Sequence, residues 1–494
     1  MLFVGFYKNE IGLKMSEIKK QVKWVEPDEA CLNQACQKCP IHIFRAYDIR
    51  GKTASDLTID NVYLIGRAIG AEAVSRGLLK MAVGRDCRST SEGLSKSLIA
   101  GLLRSGVDVV DVGMVPTPLL YFATSLLEAW SGVMVTGSHN PKEYNGLKVM
   151  LNGQSLSGPE ISSLFERVRD KRFSKGKGSL SSFYVDDDYL SEIEKRSFFH
   201  EKKLKIVIDA GNGMAGILAP KILKKLGHHI IEMFCNIDGD FPNHHPDPSQ
   251  PKNLEGLKKM VVHNRADFGL AFDGDADRLG VVDRSGEIIW PDRQLIIFAR
   301  DLLSRETGAK VVFDVKCSRV LKEEIEKLGG VAIVSKTGHS FIKKTMSDVG
   351  ASLGGEMSGH FFLKERWYGF DDAICSAVRL VEILSRSENS VSEVFSSVLS
   401  GVSTPEININ LEEGEPQKII EKIRDTQFVE DAEISLVDGF RVDFLNSWGL
   451  VRASNTTPSL VFRFEGENEE ALELVKSKFR DILSSIDSSI SLPF

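Results

Sequence analysis

The feature that most constrains the fold is a unit of strand, loop and helix that recurs along the chain. Short apolar runs at 81–83, 206–208 and 311–313 each end in a loop, and a helical pattern follows each loop. Apolar runs without alternation suit the strands of a sheet that helices cover on both faces. The recurrence therefore predicts several similar α/β domains.

Chain length and the character of the C-terminal segment set the expected number of domains. At roughly 150 residues per domain, a chain of 494 residues is expected to contain three or four cores. The tail differs from the repeated units, because 405–410 and 461–464 read as half-exposed strands and 469–483 has a helical pattern. We predict an N-terminal arm at 1–43, α/β domains at 44–184, 185–288 and 289–400, and an α+β domain at 401–494.

Charge and apolar content exclude several classes of protein. The chain has 62 Lys and Arg against 69 Asp and Glu, a net charge of −7, whereas nucleic-acid-binding proteins usually carry a basic surface. The sequence contains no window with the roughly 18 or more apolar residues of a membrane helix, and its start lacks a signal-peptide pattern. We therefore expect a cytoplasmic enzyme without nucleic-acid or membrane partners, and we expect it to act as a monomer.

The cysteines also bear on the compartment. Seven cysteines, an odd number in a long chain, favour reduced thiols over a disulfide framework. In the arm, Cys31, Cys36, Cys39 and His42 could in principle supply four zinc ligands. All four lie within 12 residues, which is tighter than ordinary zinc sites. We therefore expect reduced thiols in a loose arm.

The first of four loops with chemical potential is 136–141, which reads Thr-Gly-Ser-His-Asn-Pro directly after an apolar strand. Ser138 stands on a glycine-containing turn beyond the strand end, where a reactant can approach it. Asn140 precedes a proline, which disfavours a helix there. An ordinary surface turn is the alternative interpretation. The sequence has no G-x-S-x-G elbow, the motif that would indicate a hydrolase.

The second loop, 272–278, reads Phe-Asp-Gly-Asp-Ala-Asp-Arg between two strands. Asp273, Asp275 and Asp277 alternate with small residues, and oxygen ligands of this kind favour Mg²⁺ or Ca²⁺. Unpaired carboxylates this close would repel one another strongly. The loop therefore favours a bound metal, with a solvated acidic turn as the alternative.

The third and fourth loops offer hydrogen-bonding groups. In 354–360, Glu356 and Ser358 suit vicinal sugar hydroxyls, and His360 could move protons near neutral pH. In 452–458, one guanidinium and several short polar side chains suit a phosphate. Solvated polar turns are the alternatives for both loops. Together the four loops favour phosphoryl transfer to a sugar phosphate.

In this combination and order, the loops resemble those of the α-D-phosphohexomutase superfamily, from residue 44 to the C-terminus. Met357 resembles the bacterial phosphomannomutase/phosphoglucomutase branch, and 336–340 and 364–367 point the same way. The resemblance implies three similar mixed-sheet α/β domains and a C-terminal TATA-binding-protein-like α+β domain around a central cleft. It also implies reversible movement of phosphate between O1 and O6 of mannose and glucose, so that the 1-phosphates and 6-phosphates interconvert.

The resemblance further implies roles for individual residues. Ser138 would be carried as phosphoserine and would hold Mg²⁺ together with Asp273, Asp275 and Asp277. Glucose 1,6-bisphosphate would serve as intermediate and activator. The implied catalytic residues besides Ser138 are Lys148 and His339 as proton movers, His360 in support, and Arg50 and Arg278. The implied substrate-binding residues are Tyr47, His139, Asn140, Lys316, Glu356, Ser358, Arg452, Ser454, Asn455 and Thr456.

Two departures from the family pattern and several alternatives stay open. Ala276 stands where the metal loop usually has glycine, and a positive φ there would cost roughly 1 kcal/mol or more. The cysteine-containing arm is not explained by the resemblance.

The alternative functions are a phosphoglucomutase or phosphoglucosamine mutase of narrower specificity, an inactive sugar-phosphate sensor, and a metal-dependent phosphatase that uses the same serine.

Overall fold

A computed structural model describes residues 36–198, 202–399, 401–412, 414–424, 432–454, 457–487 and 490–494. Within these ranges the strands form four sheets in successive stretches of the chain. The first three sheets mix parallel and antiparallel pairs, whereas the pairs in the fourth are antiparallel. The predicted class, three mixed-sheet α/β units followed by an α+β unit, is therefore confirmed. The exact domain limits stay a prediction.

The first domain contains a mixed sheet flanked by helices. Its strands are β1 (Ile49–Lys52), β2 (Lys80–Arg85), β3 (Asp108–Met114), β4 (Gly132–Val135), β5 (Tyr144–Leu151), β6 (Gln154–Ser155) and β7 (Leu180–Ser182). Its helices are α1 (Ile59–Ser75), α2 (Ser91–Ser105), α3 (Thr117–Leu126) and α4 (Pro159–Arg169). The strand order is β1-β5-β4-β2-β3-β7, with β6 beside β5, and β5 is antiparallel to β4.

The described end of the predicted arm packs onto this domain. Ile43 is fully buried, and Cys36 and Cys39 lie in the same apolar cluster with little exposure. Burial raises the pKa of the Cys39 thiol to about 12, so this thiol stays protonated at neutral pH. The expectation of a loose arm is therefore wrong for 36–43, because these apolar side chains complete the core of the first domain. Cys31 lies outside the described residues.

The second domain repeats the mixed sheet. Its strands are β8 (Lys205–Asp209), β9 (His229–Met233), β10 (Phe268–Phe272), β11 (Leu279–Asp283) and β12 (Ile288–Ile289). Its helices are α5 (Asp186–Arg196), α6 (Ala215–Lys225) and α7 (Glu255–His263). The order is β12-β11-β10-β8-β9, in which β10 and β9 are parallel to β8 and β11 is antiparallel to β10.

The third domain follows the same plan. Its strands are β13 (Lys310–Asp314), β14 (Val331–Ser335), β15 (Leu353–Gly355) and β16 (Phe361–Leu363). Its helices are α8 (Pro291–Leu303), α9 (Arg319–Lys327), α10 (His339–Val349), α11 (Ala373–Arg386) and α12 (Val391–Ser396). The order is β14-β13-β15-β16, with β16 antiparallel to β15.

The fourth domain packs helices on an antiparallel sheet. Its strands are β17 (Val402–Ser403), β18 (Ile407–Asn410), β19 (Glu433–Ser435), β20 (Phe440–Asp443), β21 (Ser447–Ala453) and β22 (Ser459–Gly466). Its helices are α13 (Glu415–Arg424) and α14 (Glu469–Ile486). Val475, Phe479 and Leu483 of α14 recur every four residues and are fully buried in the core of this domain.

Packing joins the domains around the region where the predicted loops meet. One apolar cluster contains side chains from the first three domains, including Leu119, Phe268 and Phe361. Trp448 of the fourth domain packs against Val315 of the third. None of the described helices is long and apolar enough to cross a membrane.

The serine loop (136–141), the metal loop (272–278) and the sugar loop (354–360) occupy the same position in three successive sheets. Each connects a strand with a parallel neighbour to the antiparallel strand beside it, namely β4 to β5, β10 to β11 and β15 to β16. Polar residues at the carboxyl ends of parallel strands are where α/β sheets usually place ligand sites. The repeated topology thus brings three different loops to one place.

Candidate active site

Loops from all four domains line a cavity of about 400 Å³. The predicted site residues along its wall are Tyr47, Arg50, Ser138, His139, Asn140, Lys148, Arg278, Lys316, His339, Glu356, Ser358, His360, Arg452 and Ser454. Asp273, Asp275 and Asp277 are fully buried next to Ser138 and Lys148. Asn455 and Thr456 lie outside the described residues. The structure therefore brings together every predicted site residue that it describes.

Ser138 follows β4 and is held in an unusual backbone conformation. It is buried and has a φ of +47°. Its N–H donates to Thr136 Oγ1 at 2.8 Å, and its hydroxyl donates to Asp273 Oδ2 at 2.9 Å. The same Oγ lies 3.1 Å from His139 Nδ1. The serine hydroxyl therefore points toward the metal loop.

Two guanidinium groups flank the serine loop. Arg50 Nη1 donates to Asn140 Oδ1 at 2.5 Å, and its Nη2 lies 2.6 Å from Asp48 Oδ2. Arg278 Nη2 lies 3.5 Å from His139 Nε2. Burial, together with the positive charge of Arg278, holds the pKa of His139 well below its usual value. The neutral His139 ring and the two cations suit an anionic group on the serine.

The metal loop places three acidic side chains together. One carboxylate oxygen from each of Asp273, Asp275 and Asp277 lies within 4.8 Å of the others. Burial and the other two carboxylates raise the pKa of Asp273 well above its usual value. Asp275 Oδ1 is buried without a hydrogen-bond partner among the described residues. This repulsion and the unsatisfied oxygen fit a hard divalent cation, so the donor set suits Mg²⁺.

Ala276, the departure in this loop, does adopt a left-handed backbone. Its φ is +63°, and its side chain is fully buried. For a residue with a Cβ, this conformation costs roughly 1–2 kcal/mol relative to glycine. The carboxylates of the three aspartates are nevertheless assembled, so the loop accepts alanine at the cost of local strain.

Lys148 on β5 lies against the metal loop. Its Nζ lies 2.7 Å from Asp275 Oδ2 and also contacts Asp277. Although burial disfavours the charged form, these two carboxylates raise the pKa of Lys148 well above its usual value. Lys148 is therefore an ammonium ion that partly neutralises the carboxylates.

The two predicted loop histidines face each other with ring centroids 5.7 Å apart. His339 Nδ1 lies 3.3 Å from Asp371 Oδ2, and burial lowers the pKa of His339. Burial acts in the same direction on His360, but the carboxylates of Asp277 and Glu356 raise its pKa to about 9. The site thus holds one neutral and one protonated imidazole side by side, an arrangement that serves acid–base chemistry.

The sugar loop is fixed by contacts from neighbouring segments. Glu356 Oε1 accepts a hydrogen bond from the Gly338 N–H at 2.5 Å. Ser358 Oγ lies 2.8 Å from His360 Nδ1. The Met357 N–H donates to Asp314 Oδ1 at 3.3 Å. Glu356 and Ser358 both border the cavity, where hydroxyl groups of a ligand could reach them.

The cations at the far side of the cavity have carboxylate partners. Arg452 Nε lies 2.9 Å from Asp438 Oδ2, and Lys316 Nζ lies 2.9 Å from Glu406 Oε2. Glu406 is itself exposed to solvent, whereas Lys316 and Arg452 are buried. These positive groups, which line the same cavity as Ser138, suit a second anionic group.

Sequence reasoning missed the residues that hold the predicted ones in place. They are Arg88 beneath the serine loop, Asp371 beside His339, Asp438 beside Arg452, and Glu406 beside Lys316. The one available signal was a charged Arg-Asp-Cys-Arg segment at 85–88, directly after the apolar run of β2. The three acidic residues, Asp371, Asp438 and Glu406, lie in segments with no distinctive sequence pattern.

Comparison with known proteins agrees with this fold and site. The chain matches the family models for phosphoglucomutase/phosphomannomutase alpha/beta/alpha domains I, II and III at 42–175, 187–286 and 290–400. It matches the model for the C-terminal domain at 406–482. The chain therefore belongs to the phosphoglucomutase/phosphomannomutase family, within the α-D-phosphohexomutase superfamily that its motifs predicted.

Individual relatives are similar over nearly their whole length. The phosphomannomutase/phosphoglucomutase of Pseudomonas aeruginosa strain PAO1 is 51% identical over 456 residues, which are 92% of this chain and 98% of that protein. A phosphoglucomutase of Neisseria meningitidis serogroup A is 49% identical over 447 residues, 90% of this chain and 97% of that protein. The crystal structure of a phosphoglucomutase/phosphomannomutase family protein from Burkholderia thailandensis has a TM-score of 0.88 at 44% identity, covering 92% of this chain and 100% of that one.

Proposed function

We propose that this chain catalyses reversible transfer of a phosphoryl group between O1 and O6 of mannose and glucose phosphates, with Ser138 as the carrier. The observation that carries the proposal is the Ser138 hydroxyl, 2.9 Å from an aspartate of the metal loop and at the wall of a cavity lined by cations. The names of the bacterial relatives, phosphomannomutase/phosphoglucomutase and phosphoglucomutase, support mannose and glucose as the sugars.

In the proposed cycle, a sugar hydroxyl attacks the phosphorus of phosphorylated Ser138. The bond between phosphorus and the serine oxygen breaks and a bond to the sugar oxygen forms. The hydroxyl proton passes to a group of the enzyme, for which the neutral His339 is the candidate, while the protonated His360 and Lys148 are the candidate proton donors to the departing serine oxygen. The hexose 1,6-bisphosphate then turns over in the cavity, and Ser138 Oγ attacks the phosphorus of its other phosphoryl group. The bond between that phosphorus and the sugar oxygen breaks, and the two protons move back, one to the sugar oxygen and one from the serine hydroxyl to the enzyme. No water enters and no phosphate is released.

The remaining predicted residues receive binding roles in this proposal. The phosphorylated Ser138 and the three aspartates would hold Mg²⁺, which supplies positive charge next to the transferring phosphoryl group. Residues proposed to surround the phosphoserine are Arg50, Asn140 and Arg278. Residues proposed to bind the sugar and its second phosphate are Tyr47, His139, Glu356, Ser358, Lys316, Arg452, Ser454, Asn455 and Thr456. Domain limits at 44–184, 185–288, 289–400 and 401–494, a monomeric state and a cytoplasmic location belong to the same proposal.

Product analysis tests the reaction type. Purified protein is incubated with mannose 1-phosphate or glucose 1-phosphate, Mg²⁺ and a trace of glucose 1,6-bisphosphate, and the products are separated. We expect both 6-phosphates to form. Conversion of only glucose 1-phosphate would indicate narrower specificity. Release of inorganic phosphate would indicate that the protein is a metal-dependent phosphatase. No conversion would indicate that it is an inactive sugar-phosphate sensor.

The role of Ser138 is tested by mass and by substitution. We expect the peptide that contains Ser138 to carry about 80 Da from one phosphoryl group. Ser138→Ala should lose this mass and nearly all turnover, because the carrier is gone. Ser162→Ala, which changes an exposed serine on α4, is the matched control and should keep both. Wild-type turnover in Ser138→Ala would refute the assignment.

A further inference from the structure

Arg88 lies beneath the serine loop and has no role in the chemistry described so far. It is buried, and its guanidinium donates hydrogen bonds to three backbone carbonyls of this loop and to the carbonyl of Tyr144, the first residue of β5. Nη2 donates to Ser138 at 2.8 Å and to Asn140 at 2.6 Å, and Nη1 donates to Pro141 at 2.7 Å and to Tyr144 at 3.1 Å. A guanidinium has five N–H donors in a rigid fork, so most of its donors are committed to this one segment.

The loop adopts a conformation that needs external support. Ser138 has a positive φ, which is unfavourable for a residue with a side chain and persists only where the surroundings impose it. Its carbonyl is confined from a second side by Gly274, where a Cβ would lie 2.5 Å from that oxygen. Gly137 is equally close to Arg88, because a Cβ there would lie 2.4 Å from the guanidinium carbon. Arg88 and the serine loop therefore fit each other without spare room.

Asp86 supports the same loop by accepting hydrogen bonds, whereas Arg88 donates them. It accepts hydrogen bonds from the Gly137 N–H at 3.1 Å and from the Thr136 hydroxyl at 2.9 Å. The same carboxylate oxygen lies 3.3 Å from Arg88 Nε. On the opposite side, the Phe241 ring of the second domain lies 5.1 Å from the Arg88 guanidinium. Asp86 thus holds donors of the loop while Arg88 holds its acceptors.

We propose that Arg88 is a positioning residue for phosphoryl transfer, which holds the loop so that Ser138 presents its Oγ to Asp273 and the cavity. The inference rests on the proposed function of Ser138. A lysine at this position keeps the positive charge but cannot fork to carbonyls on both sides. Because Arg88 does not line the cavity, its loss should displace the carrier without removing sugar or phosphate contacts. The effect should therefore appear in kcat and hardly in KM.

Steady-state kinetics of Arg88→Lys provide the test. Displacing a reacting group by about 1 Å reduces rates by roughly 100-fold, so we expect kcat to fall by that order while KM for glucose 1-phosphate stays within about threefold. Arg67→Lys is the matched control, because Arg67 is also a buried arginine of the first domain but donates to Ser105 and Ser174. It should keep wild-type kcat. Equal losses in the two variants, or unchanged kcat in Arg88→Lys, would overturn the proposal.

A second substitution reaches the same contact from the loop side. Gly137→Ala places a methyl group where the guanidinium lies, so we expect the same loss of kcat. In the double variant, kcat should be no lower than in the more impaired single variant, since both changes remove one interaction. Multiplying effects would overturn the proposal, as would loss of folded protein in both single variants, which would assign Arg88 to stability alone.

The comparison with wild type separates this inference from the proposed function. Wild-type protein without mutase activity would refute the proposed function and this inference with it. An active wild type with unimpaired Arg88→Lys would overturn this inference alone. If only Arg88→Lys fails to fold, Gly137→Ala decides, and wild-type kcat in that variant overturns the proposal.

Discussion

Removing the ammonium group of Lys148 tests whether the carboxylates of the metal loop need a cation. Lys148 pairs with Asp275 and Asp277, and both aspartates are fully buried. Breaking a buried ion pair costs about 3–5 kcal/mol, because the remaining charge is left without a partner. Lys148→Met keeps most of the apolar stem and removes only the charge. In a unit of about 150–250 residues, such as the first two domains that this pair joins, 1 kcal/mol shifts Tm by about 2–4 °C, so the Tm of the variant in EDTA should fall on the order of 10 °C.

Mg²⁺ should reverse most of this loss. A divalent ion bound by Asp273, Asp275 and Asp277 supplies the positive charge that methionine lacks, and no ammonium competes with it. A ligand at 100 times its Kd stabilises a folded protein by about 2.7 kcal/mol. We therefore expect the rise in Tm on adding Mg²⁺ to be several degrees larger for Lys148→Met than for wild type, and its Mg²⁺ affinity to be higher.

Differential scanning calorimetry in EDTA and in a Mg²⁺ series measures both quantities. Arg366→Met is the control, because Arg366 also pairs with a buried carboxylate, Glu382 at 2.9 Å, and neither residue belongs to the acidic clusters at the metal loop. It should lower Tm in EDTA yet respond to Mg²⁺ as wild type does. The reasoning is refuted if Lys148→Met is as stable as wild type in EDTA, or if Mg²⁺ raises Tm equally in both.

Two further changes test backbone strain and a buried carboxyl group. Ala276→Gly relieves about 1–2 kcal/mol of left-handed strain, but loses about 0.8 kcal/mol of methyl burial and about 0.4–1 kcal/mol through the freer unfolded chain. We therefore expect its free energy of unfolding in urea to stay within about 1 kcal/mol of wild type, and a larger change contradicts the balance. Burial raises the pKa of Asp372 from 3.8 to about 7, so the folded protein holds the proton of this carboxyl group more tightly than the unfolded chain does. The stability that this proton provides is complete below pH 3.8 and is lost as pH rises through 7. Relative to wild type, Asp372→Asn should gain about 3 kcal/mol in stability between pH 5 and pH 8, whereas parallel pH profiles would contradict this.

The loops could be predicted from sequence because each one is a contiguous run of distinctive residue types. Their partners could not, because each pair joins distant positions through the fold. Arg88 and Ser138 are 50 residues apart, and Lys316 and Glu406 are 90 apart. A single acidic or basic residue in an ordinary segment gives no sign of the partner that the topology will place beside it.

The backbone conformation at Ala276 and the burial of the arm could not be predicted from the sequence either. Whether Ala276 needs a positive φ depends on how the strands on either side of the metal loop are joined, and the structure gives +63°. The burial of Cys36, Cys39 and Ile43 depends on an apolar surface of the first domain that lies beside them. Local composition, which suggested a loose arm, does not describe that surface.

The three repeated sheets also explain how one position acquired different uses. In each domain an aspartate stands at the carboxyl end of the strand parallel to the loop-bearing strand, or directly after it. These aspartates are Asp86 directly after β2, Asp209 at the end of β8 and Asp314 at the end of β13. Asp86 accepts from the Gly137 N–H of the serine loop, and Asp314 accepts from the Met357 N–H of the sugar loop. These equivalent aspartates therefore fix the neighbouring functional loop in two of the three domains.

The residue two positions beyond each aspartate differs, and so does its use. Arg88 turns inward and binds carbonyls of the serine loop, whereas Lys316 lines the cavity and pairs with Glu406. In the second domain this position is Gly211, and Asp209 instead pairs with His244 at 3.0 Å. Where the neighbouring loop must hold a strained nucleophile, the cation supports the loop. In the third domain no described residue of the sugar loop other than glycine has a positive φ, and the cation at this position lines the cavity instead.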